Sequence, residues 1–417
     1  VAGRRHVAGE HLTLDVIDPP GVGLPFDAAI SDDGGRVWIV HATSNDLSVV
    51  DLETKQRVAH VEVGDSPRGI VLAPDGRDAW VNNVLSGTVS VVDTETFEVA
   101  DTVTATELPL PPAMLTGKRL FWSSDDPRLA RAQWIACASC HFDGEHDGRT
   151  WTFAFAGPRN TTALGGMVQT YPLRWSGEWD ESADSEFAIT REQFGSGLLD
   201  GRMHDTLADP NAERSFELDA LAAYLDGLQT APNRVRATID ADARARGEAV
   251  FNDPVTDCAS CHPPPYYTDL QAYDVGTADG PFERLGPEID TPSLRDLERS
   301  APYLHDGSAA TLRAVLTTAN SDDLHGVTSH LSHAEIDDLV ARIKPLRARF
   351  VQRTDVTPCL NHIVHQERTR QVPGVTIDEL FTFVKREFKV RRNDRISACD
   401  HVLDIVQVVE RVFALDA

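Results

Sequence analysis

Between residues 25 and 108 apolar and polar positions alternate in short runs separated by turn residues, the period-two pattern of strands half buried in a sheet. The alternation itself repeats. Residues 25–66 can be laid over 67–108 without a gap, so that WIVHATSNDLSVVDLET (38–54) falls on WVNNVLSGTVSVVDTET (80–96) and ISDDG (30–34) on LAPDG (72–76). A 42-residue period with a D-G turn and a closing V-V-D is the size of one four-stranded propeller blade. The prediction over 1–108 is therefore a partial β-propeller with repeats at 25–66 and 67–108. Propellers use about 4 to 8 blades. These two do not close a ring, and the expectation is that a missing N-terminal part or an additional propeller-completing chain does so.

The proline-rich joint ELPLPPAML (107–115) ends the alternation, because proline cannot donate to a strand ladder. The period then changes to that of helices. FELDALAAYLDGL (216–228) is apolar at i, i+3, i+4 and i+7 and stops near Gly227, closing a first domain over 111–232. RARGEAVF (244–251) and LSHAEIDDLVARIKPL (331–346) open and close a second over 233–348. The remainder, 349–417, reads as a helical tail, with helices over 376–388 and 397–415 capped by Thr376 and Ser397. His362 and His365 lie three apart and share a helical face there, a pattern commoner on exposed helices than in metal sites.

Each helical domain contains the same five letters, CASCH, at 137–141 and at 258–262. A C-x-x-C-H run is the attachment signature of c-type haem: two thiols bond the porphyrin and the adjoining histidine ligates the iron. A zinc half-site or a redox dithiol also uses C-x-x-C, but neither needs histidine directly after it, twice. Two covalent haems are expected, on Cys137, Cys140 and His141 and on Cys258, Cys261 and His262. Helix, C-x-x-C-H, ligand loop and closing helix is the plan of a small cytochrome c domain. The expected fold is thus multidomain, with two mainly α cytochrome c-type haem domains preceded by partial propeller blades and followed by the helical tail.

Charge and compartment narrow the partners. The 417 residues hold 39 Lys and Arg against 65 Asp and Glu, a formal charge of −26, which excludes the basic faces that nucleic acid selects. The acidic surface steers cationic partners or is simply solvated. No apolar run of membrane-spanning length occurs. The start, VAGRRHVAGE, has no initiator methionine or apolar signal core, so the chain is expected to be processed or trimmed. Covalent haem c points to a periplasmic protein, where Cys359 and Cys399 would pair as a disulfide or remain buried thiols.

GPRNTTALGG (157–166), RWSGEWD (174–180) and DTPSLRDLERSAPYLHDGSAATL (290–312) together resemble the bacterial di-haem cytochrome c peroxidase family over about 111–348. That superfamily also contains the maturation enzymes that build tryptophan-derived quinones and the haem-dependent rubber oxygenases. The two blade repeats resemble the YVTN type, so the whole is similar to a propeller-fused branch. The resemblance implies that one haem cleaves peroxide while the other stores or relays an electron. It places Trp175 between the domains and Asn160 beside a calcium ion, with carbonyls from Thr291 and its neighbours. It sets His305 near the second haem, against a propionate or the backbone rather than the iron. An electron donor is implied, a small electron-transfer protein or a larger redox complex.

The sixth iron ligands decide which haem is reactive, since peroxide cleavage needs an open iron and a nearby acid/base group. The family supplies methionine or tyrosine to the second haem from the segment after H-D-G. Here that position falls on Thr318, Ala319 or Asn320, and Met114, Met167 and Met203 all precede the domain. His325 is the expected substitute, ahead of His330, because the glycine after it lets the loop approach closely. For the first haem, His146 and Met203 are candidates to close the site. Glu186, Glu192 and Gln193 stand where the family has a catalytic glutamine and glutamate, and Glu186 and Gln193 are singled out, with Trp175, as catalytic candidates. The favoured activity is reduction of hydrogen peroxide or a related oxidant. The alternatives are an electron-transfer subunit with both haems six-coordinate and an oxidative protein-modifying enzyme.

Overall fold

A computed structural model describes residues 21–230, 233, 235 and 237–346, which lie within one compact unit spanning 1–348. Strands β1 (Pro25–Ile30), β2 (Arg36–His41), β3 (Asp46–Asp51) and β4 (Gln56–Glu62) form an antiparallel four-stranded meander. A second one follows, of β5 (Pro67–Leu72), β6 (Asp78–Asn83), β7 (Thr88–Asp93) and β8 (Val99–Thr104). The repeat extends to detail. Register shifts fall at Pro25/Asp27 and Pro67/Gly69, and again at Val49/Val50 and Val91/Val92. Asp51 and Asp93 each accept from a backbone N–H and the hydroxyl of the threonine three residues on, which closes the same turn. The sheets stack face to face around Trp38, Val40, Leu47, Val49, Val61, Ala79, Val81 and Val92. No sheet among the described residues closes into a barrel.

Helix α1 (Pro112–Trp122) starts inside the proline joint, with Pro112 at its first position, where a missing N–H costs nothing. It packs across α4 (Phe216–Gly227), N-capped by Ser215. The crossing is tight at Gly117, whose added Cβ would lie 1.9 Å from the Ala220 carbonyl oxygen. The second helical region repeats this arrangement. Helix α5 (Ala241–Phe251) crosses α8 (His333–Ile343), and a Cβ on Gly247 would lie 1.9 Å from the Asp338 carbonyl. Only glycine lets either pair of backbones approach so closely. Ser332 and Glu335 cap α8 reciprocally.

Between the outer helices of each region lie a one-turn C-x-x-C helix and a two-stranded ribbon. These are α2 (Cys137–Cys140) with β9 (Thr150–Phe153) and β10 (Gly157–Asn160), then α6 (Cys258–Cys261) with β11 (Ala272–Asp274) and β12 (Glu288–Asp290). Short helices α3 (Ser185–Arg191) and α7 (Leu312–Val315) are the remaining α-helices among the described residues. The first sheet pair leans on the first helical region through Arg68. Its guanidinium sits 3.8 Å over the Trp122 ring and pairs with Asp143, while Phe26 stacks on Phe142. No helix among the described residues is long and apolar enough to cross a membrane. The expectations for Cys359, Cys399, His362, His365 and the tail helices fall outside the described residues.

Candidate functional site

The two CASCH segments adopt one geometry. Each C-x-x-C is a single helical turn with the histidine as its C-cap, His141 at φ −109°, ψ 56° and His262 at φ −116°, ψ 58°. All four cysteines are free thiols. Burial pushes Cys137 up to about 11 and Cys140 to about 12, and raises Cys258 as well. Among the described residues no cluster of three or more His, Cys, Asp or Glu is placed to hold a metal ion.

The histidines are oriented alike. His141 Nδ1 donates to the Thr162 carbonyl at 2.9 Å and His262 Nδ1 to the Tyr267 carbonyl at 3.0 Å. A carbonyl only accepts, so the proton sits on Nδ1 and Nε2 keeps its lone pair, the tautomer an iron ligand needs. Burial lowers both imidazoles, His262 to about 4, so each is neutral at pH 7.

The His325 ring lies opposite the His262 ring, with centroids 6.3 Å apart and planes at 50°. Two metal–nitrogen bonds of about 2.0–2.1 Å plus about 1.1 Å from each ring centre to its nitrogen sum to roughly 6.3 Å. The gap thus has the span of an ion held between two imidazoles. His330 is exposed. The His325 loop is fixed by Asn320, whose amide donates to the carbonyls of His325 and Gly326 and to Thr328 Oγ1 while accepting the His325 N–H at 2.8 Å. Gly326, at φ +74°, brings the loop against the segment before α6, where an added Cβ would sit 2.8 Å from the Thr256 carbonyl.

Trp175 joins the two helical regions. Its indole N–H donates to the Asn160 carbonyl at 2.8 Å, its own carbonyl accepts from Asp290 at 2.9 Å, and His305 lies edge-on at 6.4 Å. The Asn160 amide donates to the carbonyls of Pro302 and Leu304, and its buried Oδ1 has no protein partner. His305, 2 % exposed, approaches Glu283 at 3.4 Å. Glu283 in turn takes a bidentate pair from buried Arg159 across the two regions. Burial, with the charge of Asp269, pushes the Asp290 carboxyl up to about 7.

Around α2 the candidates divide. Gln193 is buried, with its amide 3.7 Å from Cys137 Sγ. Glu186 accepts the Leu198 N–H at 3.0 Å through both its oxygens, and one also accepts from Leu199. It clamps a loop that must turn through Gly197, where a Cβ would lie 2.1 Å from Glu186 Oε1. Glu192 pairs with Arg174. His146 Nε2 meets the Arg299 carbonyl. Met203 packs on the apolar core that also contains Cys137.

No family model matches the chain. Among curated proteins, MauG, a methylamine utilization protein of Methylorubrum extorquens, is 30 % identical over 288 residues, 57 % of this chain and 79 % of the relative. The chain belongs to the di-haem cytochrome c peroxidase superfamily, which includes MauG. Hydrazine synthase subunit gamma of Kuenenia stuttgartiensis is 28 % identical over 260 residues, 51 % of this chain and 72 % of that protein. Cytochrome c551 peroxidase of Nitrosomonas europaea is 24 % identical over 269 residues, 55 % and 78 %. A solved hydrazine synthase structure from Kuenenia stuttgartiensis covers 58 % of this chain and 90 % of its own, with 25 % identity and a TM-score of 0.43.

As a member of this superfamily the chain is a di-haem oxidoreductase, and haem is its implied cofactor. The residues present fit that group: free thiols spaced for attachment, followed by histidines whose Nδ1 donates to a backbone carbonyl. Three functional residues were passed over in the sequence. Asn320 was noted only as a poor ligand, yet it holds the His325 loop. Arg159 and Glu283 are 124 positions apart, and nothing local marks them as a pair.

Proposed function

We propose that the chain is a periplasmic di-haem c oxidoreductase of the peroxidase kind, with an open iron at the first site and a closed one at the second. Haem would be attached through Cys137 and Cys140 with His141 below it, and through Cys258 and Cys261 between His262 and His325. The observation that carries the reading is an asymmetry: His325 faces His262 at 6.3 Å, whereas among the described residues no histidine faces His141 and His146 is tied to Arg299. When bound, haem supplies one-electron chemistry, with an open iron able to take an oxidant.

The protein's own residues do the rest. Thr162 and Tyr267 fix the histidine tautomers, Asn320 positions His325, and Gln193 brings an amide to the first attachment cysteine, where it can orient an incoming oxidant such as hydrogen peroxide. Trp175 lies between the regions, where an aromatic would bridge electron flow. Calcium is supported at Asn160, whose buried Oδ1 lacks a partner, because hard cations prefer oxygen ligands. Catalytic use of Glu186 is dropped in favour of its loop-clamping role.

The test is low-temperature EPR of the haem-loaded protein with and without peroxide. One high-spin and one low-spin ferric signal are expected, with peroxide abolishing the high-spin one. Two low-spin signals indifferent to peroxide would replace this reading with an electron-transfer subunit in which Met203, which packs on the core containing Cys137, closes the first iron. Peroxide consumption that alters residues of a partner protein would point instead to the protein-modifying activity.

A further inference from the structure

Both sheets carry a β-bulge at the same place in the repeat. The register slips between Pro25 and Asp27 against β2 and between Pro67 and Gly69 against β6, so the extra residues are Phe26 and Arg68, one 42-residue period apart. A bulge re-aims its side chain out of the ladder. The two bulges are neighbours, since Asp27 Oδ2 accepts the Ile70 N–H at 3.1 Å, and both extra side chains meet one residue, Phe142, directly after His141. The Phe26 ring stacks on Phe142 at 5.7 Å. The Arg68 guanidinium lies 5.6 Å from the same ring, 5.4 Å from Phe26 and 3.8 Å from Trp122. Arg68 then reaches one residue further, donating to Asp143 Oδ1 at 3.2 Å from both terminal nitrogens.

The segment held in this way leads to the histidine itself. Asp143 stands at φ +50°, a left-handed conformation that Asp tolerates better than most residues. The carbonyl of Gly144 accepts the Leu164 N–H at 2.8 Å, two residues beyond the Thr162 carbonyl that takes the His141 Nδ1 proton. Adhesion between sheets and helices does not call for a charge here. A partly desolvated guanidinium loses hydration that its ion pair only partly returns, and an aliphatic side chain would pack as well. Burial, then the Arg68 charge, lowers the Lys118 ammonium, so the field of Arg68 is felt along α1. Reduction of a haem iron adds an electron, which a carboxylate beside the ligand disfavours and a guanidinium favours. We propose that the two blades are part of the first haem site: Phe26 and Arg68 hold the segment after His141, and Arg68 balances the Asp143 charge there, so that the sheets set the first haem's reduction potential. The proposal rests on haem attachment at His141, and it makes Phe26, Arg68 and Asp143 positioning residues.

The test is a redox titration of the full haem-loaded chain at low ionic strength, with the two haems followed separately by EPR of poised samples. Asp143→Asn leaves the Arg68 charge unbalanced and should shift the first haem's redox equilibrium about threefold or more toward the reduced form. Arg68→Met keeps an apolar stem, leaves Asp143 unpaired and should shift it by a similar factor toward the oxidised form. The double variant should return to within about twofold of the parent, and the second haem should stay put throughout. The Asp143 side chain is 53 % exposed, so Asp143→Asn is tolerated and carries the test alone if Arg68→Met does not accumulate. Shifts of the same sign in both single variants, no shift in Asp143→Asn, or an equal shift of the second haem would overturn the proposal, because loosened packing has no reason to change sign with charge. Attachment is checked separately with Cys137→Ser combined with Cys140→Ser. Two covalent haems retained in that variant would overturn the reading at His141, and the proposal with it, whereas one retained haem with unmoved potentials would overturn the charge balance alone.

Discussion

Replacing Glu283 by glutamine tests how the two helical regions are locked together. Glu283 and Arg159 are about 6 % and 7 % exposed and meet through two hydrogen bonds of 2.7 and 2.8 Å. Burial alone would raise the Glu283 carboxyl, but Arg159 and the backbone N–H groups of Leu285 and Arg284 outweigh it and hold it at about 2, against 4.5 when unperturbed. A carboxylate with a depressed folded-state pKa stabilises above its unfolded pKa and loses that contribution as pH falls toward the folded one. The shift corresponds to about 3 kcal/mol at pH 7, roughly half of it gone by pH 3. Leaving Arg159 buried without its partner predicts a cost of similar size, about 3–5 kcal/mol. Urea unfolding of the haem-loaded protein should therefore show E283Q about 3 kcal/mol less stable at pH 7, with the gap from the parent narrowing at pH 3. A difference under about 0.5 kcal/mol at pH 7, or one unchanged at pH 3, would refute the account.

His325→Ala should convert one low-spin ferric EPR signal to high-spin, with added imidazole restoring it; an unchanged spectrum means His325 ligates nothing. Gly326→Val meets the Thr256 carbonyl and an unfavourable positive φ, so it should cause the same spectral change while His325 is still present. Cys258→Ser combined with Cys261→Ser should leave one covalent haem per chain on a denaturing gel stained for haem, and two retained haems would rule out attachment there. Trp38→Ala removes a fully buried aromatic and should cost about 3–5 kcal/mol in urea unfolding. Trp80→Ala in the isolated chain should cost far less, because its ring is already half in water.

The sequence by itself determined what is periodic or contiguous. The 42-residue spacing places both sheets and even their register shifts, since the same turn chemistry at Asp51 and Asp93 imposes the same local geometry. The helices that close each region followed from apolar spacing and caps, and the two C-x-x-C-H segments were legible because both thiols and the histidine lie on one helical turn. What only the tertiary structure decided is what depends on distant segments meeting. That the His325 ring lies 6.3 Å from that of His262 is not written in the local sequence. Nor is the clamp that Glu186 makes on the N–H groups of Leu198 and Leu199. The Arg159–Glu283 lock and the orphaned Asn160 oxygen have no local signature, because burial and hydrogen bonding are settled by which side chains share a volume, and a linear order of residues fixes that only after the chain has folded.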